Sequence, residues 1–405
     1  MRLKRRCAIF RLLKQVFKKQ TKVIYKTKIG ADKFVLNKNE VRVLDIIEQD
    51  PFISQQSIAD ELGLTRSTVA TIISGLTQKK HLLGRAYVIN RASGIYCIGA
   101  MNVDRKFNLF DNIAYQTSNP SVSTVNVGGV ARNIAENLGR LDMDVSLISL
   151  GGHDQDYHFV KRETEPYVNM QHATQLNGLA TGTYNAVIDP AGEMQLAVAD
   201  MQIYDEMTVE WLSNFQSILQ EARLLVIDLN LPRETVEYTL TLARQFEIDI
   251  FVIPVSGPKM DRLPEDLSGV TWLIVNQDES EAYFDVSVET EEDFEGLVDR
   301  WLATGVQNVV ITRGAKGSIY GNQEGDRETL FSVRTDNVVD VTGAGDSYSS
   351  GIIYGFLNGY SALDSIQFGM TNAYYTIQTE ETVRMDLNEE TLNNEKTQLF
   401  LKETK

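Results

Sequence analysis

The residues with the clearest chemical potential lie near the end of the chain, in Gly343-Ala344-Gly345-Asp346. The pattern predicts a strand over 331–339, a glycine-rich turn, and a helix that includes 349–357. Amides at a helix start lack partners within the helix and attract an anion, and glycines let a phosphate approach closely. A carboxylate there repels the anion unless it takes a proton from the attacking nucleophile. Asp346 is therefore a candidate base; an ordinary capped helix is the alternative.

A second polar pair, Asn102 and Asp104, follows the first predicted strand, over 95–98. Open α/β sheets bind ligands beyond the carboxyl ends of their strands. An amide and a carboxylate two residues apart can bond neighbouring hydroxyl groups, and an analogue without those groups would leave both unpaired. The pair is thus a candidate binding site for a hydroxylated substrate.

The longer string Asp340-Val341-Thr342-Gly343-Ala344-Gly345-Asp346 resembles the C-terminal motif of the PfkB, or ribokinase-like, family of sugar and nucleoside kinases. This resemblance implies that the first three residues of the GAGD core form an anion hole for the transferring phosphoryl group. It also implies that Asp346 is the catalytic base and that Asn102 and Asp104 hold a ribose. The chain has no Walker A sequence and is not a P-loop kinase.

Further stretches match this family in the expected order. Gly128-Gly129-Val130-Ala131-Arg132-Asn133 resembles its N-terminal motif, in which the glycines admit the substrate and Asn133 bonds a hydroxyl. Arg132 would contact the base or phosphate, or form a surface salt bridge. Asn276-Gln277-Asp278-Glu279 resembles the NxxE motif, so Asn276 and Glu279 would position Mg²⁺ through water, a polar strand end being the alternative.

The nucleotide side is expected from two later stretches. Thr312-Arg313-Gly314-Ala315-Lys316-Gly317 resembles the family's ATP-binding turn, and Asn372 on a later helix falls near the adenine. In the family, the loop that corresponds to 379–385 holds a monovalent cation. Here it lacks the usual glycine-containing form, which leaves dependence on K⁺ open.

Within the family, the sequence is similar to pseudouridine kinases. The implied activity is ATP-dependent phosphorylation of the 5′-hydroxyl of pseudouridine. Another nucleoside or sugar as substrate, or a transcriptional regulator that only senses such a ligand, are the alternatives. Two departures from the subgroup are Ile253, where Asp is usual, and Tyr157, where Gly is expected. The similarity is carried by Ser118-Asn119-Pro120, Ile134-Ala135, Gly192-Glu193-Met194, Asp200-Met201 and Pro254-Val255-Ser256.

The elements that must position these residues alternate between apolar runs and amphipathic segments over 93–405. This alternation predicts an α/β fold, a ribokinase-like mostly parallel sheet with flanking helices. Strands over 183–188 and 195–198 flank a turn and, with 121–127, predict a small β lid. By resemblance the lid covers the sugar and pairs with a second subunit in a homodimer; a plain edge hairpin is the alternative.

A separate helical domain is predicted over 36–92. Helices over 38–49, 57–62 and 65–78, followed by a hairpin, resemble the winged helix-turn-helix of bacterial regulators. The start of the third helix would enter the major groove of double-stranded DNA. A three-helix interaction module that never touches DNA is the alternative. The predicted DNA-contacting residues are Arg66, Ser67, Thr68 and Thr71.

Composition limits the remaining possibilities. The net charge of the chain is −16, but residues 1–30 contain eleven of the 39 Lys and Arg residues and no Asp or Glu. The sequence therefore has a basic arm over 1–35 and a strongly acidic body. The body should repel nucleic acid, and DNA contact must be local. The arm is an amphipathic surface-binding helix, a DNA-contacting arm or a solvated tail, or translation starts near Leu36. Two cysteines and four scattered histidines predict no disulfide framework or metal cluster, and with no membrane-spanning run we expect a cytoplasmic protein.

Overall fold

The computed structural model describes residues 36–49, 53–79, 81–83, 88–89 and 93–400. The predicted basic arm and the middle of the predicted wing lie outside these residues. The chain divides into two compact units, with a boundary between Ile89 and Asn90. No helix in the described ranges is long and apolar enough to cross a membrane.

The N-terminal unit has three helices and a short hairpin, as the sequence predicts. Helix α1 is Lys38–Gln49, α2 is Gln55–Leu62 and α3 is Arg66–Gln78; strands β1 (Leu82–Leu83) and β2 (Val88–Ile89) pair antiparallel. Gly63 ends α2 in the left-handed conformation (φ 65°), which glycine adopts without steric cost. The Thr65 hydroxyl then caps α3 by accepting from the amide of Thr68 at 3.2 Å. The apolar core includes Val43, Ile47, Ile58, Val69, Ile73 and Leu76.

One buried carboxylate joins the first helix of this unit to the end of the third. Glu40 Oε1 accepts from Lys79 Nζ at 2.8 Å, and Oε2 accepts from the amide of Asn37 at 2.7 Å. The hydrogen bond from Lys79 lowers the pKa of Glu40, against the opposing effect of burial. The ion pair therefore stabilises the helix arrangement only while Glu40 is ionised.

The second unit is built on a nine-stranded sheet. Its order is β15-β14-β13-β12-β11-β10-β3-β6-β7, parallel from β13 to β7 and antiparallel between β13, β14 and β15. The central strands are buried on both faces, which explains their unbroken apolar runs. The strands are β3 Ser93–Ile98, β6 Val145–Gly152, β7 Ala173–Leu176, β10 Ala222–Asp228, β11 Asp249–Ile253, β12 Trp272–Asn276, β13 Asn308–Thr312, β14 Ser318–Asn322 and β15 Arg327–Leu330.

Helices pack on the sheet and confirm the predicted α/β alternation. Short 3₁₀ turns cover Gln202–Glu206, Gly257–Arg262 and Gly314–Lys316. The helices are α4 Val130–Arg140, α5 Gln155–Thr164, α6 Val209–Ser213, α7 Gln216–Leu219, α8 Arg233–Phe246, α9 Gln277–Phe284, α10 Glu291–Ala303, α11 Ala344–Leu357, α12 Ala362–Thr376 and α13 Glu389–Phe400.

The predicted strand over 331–339 is wrong. Strand β15 ends at Leu330, and the chain continues without strand pairing to the turn before α11. Side chains of 332–336 and Val338 line a cavity, and Phe331 and Val339 are exposed. The segment is therefore part of a cavity wall without regular secondary structure, although its apolar residues alternate as in a strand.

The predicted lid is present and has one more strand than expected. Its order is β5-β4-β8-β9, with β5 Ser121–Gly128, β8 Gly182–Ile188 and β9 Met194–Asp200. The additional strand, β4 (Asn102–Leu109), pairs antiparallel with β5 and parallel with β8. Asn102 and Asp104 therefore lie on a lid strand, where the sequence had placed them only in a loop after β3.

Candidate active site

The glycine-rich turn at the start of α11 is shaped by two different constraints. Gly343 has φ 81°, and a Cβ there would lie 2.2 Å from the carbonyl oxygen of Thr382, so only glycine fits. A Cβ on Gly345 would meet no atom within 4 Å, which leaves open space beside the helix start. The amide of Ala344 donates to Val341 O at 3.2 Å. Among described residues, the amides of Gly343 and Gly345 have no backbone acceptor and remain available for an anion.

The structure brings Asp346 together with Asn133, although 213 positions separate them in sequence. Asn133 Nδ2 donates to Asp346 Oδ2 at 2.7 Å. Burial raises the pKa of Asp346 to about 7, and the charges of Asp228 and Asp104 add to this effect, while Asn133 and Arg132 oppose it. A carboxylate with a pKa near neutrality is well matched to accepting a proton from a hydroxyl.

The predicted substrate pair also lies in contact. Asn102 Nδ2 donates to Asp104 Oδ1 at 2.5 Å, and Asn102 is 4% exposed. Burial raises the pKa of Asp104 to about 6, against the charge of Arg132 and the hydrogen bond from Asn102. A Cβ on Gly128, the partner of Asn102 across the lid strands, would lie 2.2 Å from the Asp104 carboxylate. A side chain at position 128 would therefore collide with the Asp104 carboxylate, and glycine leaves room for it.

The second glycine of that motif allows close backbone packing. Gly129 has φ 99°, and a Cβ there would lie 2.4 Å from Ala100 O. The amide of Arg132 donates to the same oxygen at 3.2 Å. The start of α4 is thereby held against the loop that follows β3, which brings Asn133 to the substrate side of the sheet.

Arg132 forms neither the surface salt bridge nor the open ligand contact that the sequence suggested. Its side chain is fully buried and paired with Glu136, one helical turn away. Nε donates to Gly128 O at 3.0 Å, and Nη2 donates to Asn133 Oδ1. Because Asn133 accepts from the guanidinium through its oxygen, its amide nitrogen is directed to Asp346. Arg132 therefore orients the Asn133 side chain toward the Asp346 carboxylate.

Asp228, at the end of β10, is a site residue that the sequence analysis missed. It is 1% exposed, and its Oδ2 accepts from the amides of Ala100 at 2.9 Å and Ala131 at 3.0 Å. Oδ1 accepts from the amide of Asn230 at 2.8 Å. Burial raises the pKa of Asp228 even with these three donors. The residue ties the loop after β3 to the first turn of α4. An acid directly after the apolar run 224–227 was the available signal.

The glycine-rich turn opens on a cavity of about 710 Å³. Ala344 and Gly345 belong to its lining, so the anion-binding amides and the cavity are continuous. Thr312, Gly314 and Gly317, predicted to contact ATP, line it as well. The volume lies within the range of nucleotide and cofactor sites. Other lining residues are Ser332, Val333, Tyr348, Met370, Ala373, Tyr374 and Ile377.

Asn372 does not line this cavity, so its predicted contact with the adenine is not supported. Its side chain is fully buried. Nδ2 donates to Asn137 Oδ1 at 2.8 Å and to Ser347 O at 3.0 Å, and Oδ1 accepts from Arg384 Nε at 3.1 Å. All of its polar atoms bind protein groups, because the residue connects α12 to α4 and α11.

Asn276 and Glu279 form a capping box at the start of α9. Asn276 Oδ1 accepts from the amide of Glu279 at 2.7 Å, and Glu279 Oε2 accepts from the amide of Asn276 at 2.8 Å. Burial raises the pKa of Glu279 to about 7. No group of three or more His, Cys, Asp or Glu side chains suited to a metal occurs in the described part of the chain. The residues fit Mg²⁺ only as a hydrated ion held by Glu279 together with a nucleotide.

In the N-terminal unit, the four predicted DNA-contacting residues are exposed at the start of α3. The hydroxyls of Ser67 and Thr68 lie 2.9 and 2.8 Å from that of Thr65, and Thr71 Oγ1 donates to Ser67 O at 3.0 Å. Arg66 is the only charged member of this group, so the surface offers one positive charge and several hydroxyls.

A mostly parallel sheet with flanking helices and a small β lid, and a glycine-rich turn that lines a nucleotide-sized cavity, are features of a ribokinase-like fold. Residues 92–389 match the model of the pfkB family of carbohydrate kinases, and the chain belongs to that family. Residues 36–79 match a winged helix-turn-helix DNA-binding model, so the N-terminal unit is a winged helix-turn-helix domain.

Relatives support the same family. An uncharacterized sugar kinase of Escherichia coli, YeiI, is 30% identical over 339 residues, which cover 84% of this chain and 93% of the relative. A pseudouridine kinase of the same organism is 28% identical over 294 residues, covering 72% and 93%. The structure of Arabidopsis thaliana ribokinase with ribose and ATP superposes with a TM-score of 0.64 at 16% identity, covering 75% and 98%, which supports the fold.

Proposed function

We propose that this protein is a nucleoside kinase that transfers the γ-phosphate of ATP to the 5′-hydroxyl of pseudouridine. The observation that carries the proposal is the Asp346 carboxylate, which has a pKa of about 7 and accepts from Asn133 beside amides that are free to bind phosphate. A purely structural first-turn acid would be stabilised by its ionised form, whereas burial here raises the pKa of Asp346 and favours its protonated form.

In the proposed reaction, Asn102, Asp104, Gly129 and Asn133 hold the ribose below the lid. Asp346 accepts the proton of the 5′-hydroxyl as its oxygen bonds to the γ-phosphorus. The bond from that phosphorus to the bridging oxygen breaks, and ADP leaves. The amides of the glycine turn stabilise charge on the transferring group.

The proposed Mg²⁺ would neutralise negative charge on the phosphates, held through water by Glu279. Burial keeps this carboxyl partly protonated near neutrality, and a nearby cation would favour its ionised form. For K⁺, the late loop gives an opposing argument. The loop contains the buried guanidinium of Arg384, which pairs with Glu395 at 2.6 Å. This positive charge is already present in the loop, and it would repel a second cation bound nearby.

Pseudouridine is proposed from the subgroup motifs and from the relative named for it. A relative named as a sugar kinase is 30% identical, against 28% for the pseudouridine kinase, so a free sugar is the second candidate substrate. Both would use the same base and the same turn, and they differ in what fills the space beyond the ribose.

The helix-turn-helix suggests a second role in transcription. The exposed hydroxyls and Arg66 at the start of α3 support contact with double-stranded DNA. Cytoplasmic location fits both roles. A homodimer through the lid is supported by three exposed apolar side chains that the strand register places on one face of the lid sheet, Val125, Leu196 and Val198.

The test is ATP turnover by the purified protein with pseudouridine, uridine, adenosine, ribose and fructose, in parallel with Asp346→Asn. Selective turnover of pseudouridine that is absent in the variant supports the proposal. Turnover of ribose alone would establish the sugar kinase instead. If no compound is phosphorylated but one binds and changes DNA affinity, the protein is a sensor.

A further inference from the structure

Lys106 on lid strand β4 contacts the loop that leads into the anion-binding turn. Its ammonium group is paired with the carboxylate of Asp340 and donates to Thr342 Oγ1 at 3.0 Å. Strand alternation places Asn102, Asp104 and Lys106 on one face of β4, so the lysine extends from the face that carries the substrate pair. Its charge also lowers the pKa of Asp104.

Asp340 in turn holds the backbone of this loop. Its Oδ1 accepts from the amide of Thr342 at 2.9 Å and from the hydroxyl of the same residue at 2.7 Å. Burial would raise the pKa of Asp340, but the hydrogen bonds from Lys106 and Thr342 outweigh burial and lower it. Gly343, the residue after Thr342, begins the anion-binding turn. The side chains of Lys106 and Asp340 are only 26% and 23% exposed, so water screens their attraction less than that of a surface pair.

A second contact joins the lid to the same turn. Thr382 Oγ1 donates to Val127 O on lid strand β5 at 3.1 Å. The carbonyl oxygen of Thr382 is the atom that excludes a side chain at position 343. Two contacts therefore connect the lid to the glycine turn, one made by Lys106 and one made through Thr382, and Lys106 supplies the charged one.

We propose that Lys106 is a positioning residue that couples the lid to the anion hole. When substrate lies against Asp104 below β4, the ammonium holds Asp340 and Thr342, and thereby the turn from Gly343 onward, in the geometry that accepts the phosphoryl group. This inference rests on the proposed kinase function. It assigns Lys106 no bond to the nucleoside.

The activity test compares Lys106→Met and Asp340→Asn with a matched control, Arg105→Met. Arg105 precedes Lys106 on β4 and pairs with Asp156 at 2.6 Å, so the control also removes one charge and one ion pair from the lid. We expect kcat to fall about 10²-fold in both test variants, because a small misplacement of transition-state groups costs about that much. KM for the nucleoside should change little, and the control should retain wild-type kcat.

Chemical rescue separates the ammonium from mere packing. In Lys106→Ala, added methylammonium should restore a saturable part of kcat, and tetramethylammonium, which has no N–H to donate, should not. Wild-type kcat in Lys106→Met would overturn the proposal. Loss of nucleoside affinity at unchanged kcat would also overturn it and make Lys106 a substrate ligand.

Hydrogen–deuterium exchange of the unliganded protein tests the coupling without turnover. Lys106→Met should accelerate exchange in 338–345, Asp340→Asn should accelerate it in 102–109, and Arg105→Met should leave 338–345 unchanged. If neither test variant alters the other element, the coupling is refuted. If the wild-type protein phosphorylates nothing, the proposed function fails while this exchange experiment still decides the coupling.

Discussion

The partnership of Asn133 and Asp346 makes a quantitative prediction about the pH dependence of catalysis. Replacing Asn133 by Ala removes the donor that lies 2.7 Å from the carboxylate and favours its ionised form. A hydrogen bond to a charged group contributes about 1.5–3 kcal/mol, and one pKa unit corresponds to about 1.4 kcal/mol. The pKa of Asp346, raised by burial to about 7 in the wild type, should therefore rise further by about one to two units.

The assay is kcat against pH from 5.5 to 9.5 at saturating ATP and nucleoside. With a pKa near 7, about half of the wild-type carboxyl groups accept a proton at neutral pH; in the variant about a tenth or fewer would. We expect kcat at pH 7 to fall at least about fivefold and to recover as pH rises toward 9. Asp346→Asn sets the rate without a base. An acidic limb at the wild-type pH would refute the reasoning, even if overall activity were reduced.

Four further outcomes follow from the structure. Gly128→Ala places a methyl group 2.2 Å from the Asp104 carboxylate, so KM for the nucleoside should rise at least tenfold with little change in the Kd for ATP, measured by calorimetry. Glu40→Gln should lower the Tm of the N-terminal domain at pH 7, by about 4–8 °C for each ~1 kcal/mol of unfolding free energy lost. Because the pKa of Glu40 is lowered in the folded state, the Tm difference between wild type and variant should vanish as the pH falls below that pKa. Asp346→Asn should raise the kinase-domain Tm at pH 8 and leave it unchanged near pH 4, since a raised folded pKa makes the wild type lose stability between about pH 4 and 7. Arg66→Ala should weaken DNA binding and reduce its salt dependence by about one counterion if Arg66 contacts a phosphate.

What the sequence could predict was local. The GAGD turn, the capped recognition helix and the alternation of strands and helices depend on residues close together in the chain, where propensity and spacing determine structure. The position of Asp228 depends on the strand order, because β10 lies next to β3 and delivers the carboxylate to the amides of Ala100 and Ala131. No spacing along the chain contains that information.

The errors have physical causes of the same kind. The apolar residues of 331–339 alternate as in a strand, but a strand also needs a neighbour to pair with, and this segment lines a cavity without strand pairing. Strand β4 contains the polar and charged residues Asn102, Asp104, Arg105, Lys106 and Asn108, so its composition does not predict a strand. Asn372 and Arg132 looked like ligand-binding groups, but their partners, Arg384 and Glu136, satisfy them inside the protein.

The environment of Asp346 bears on the choice between an enzyme and a sensor. Burial raises the pKa of Asp346 to about 7, and the charges of Asp228 and Asp104 add to this effect, so an ionised Asp346 costs folding stability at neutral pH. A domain that only bound a nucleoside could bond its hydroxyls with amides and one acid, and replacing Asp346 by Asn would remove the repulsion at no cost in binding. A base kept at a pKa near 7 is useful when a proton must move. Its retention beside an open anion-binding turn favours phosphoryl transfer as the function of this domain, with the helix-turn-helix as an additional activity of the same chain.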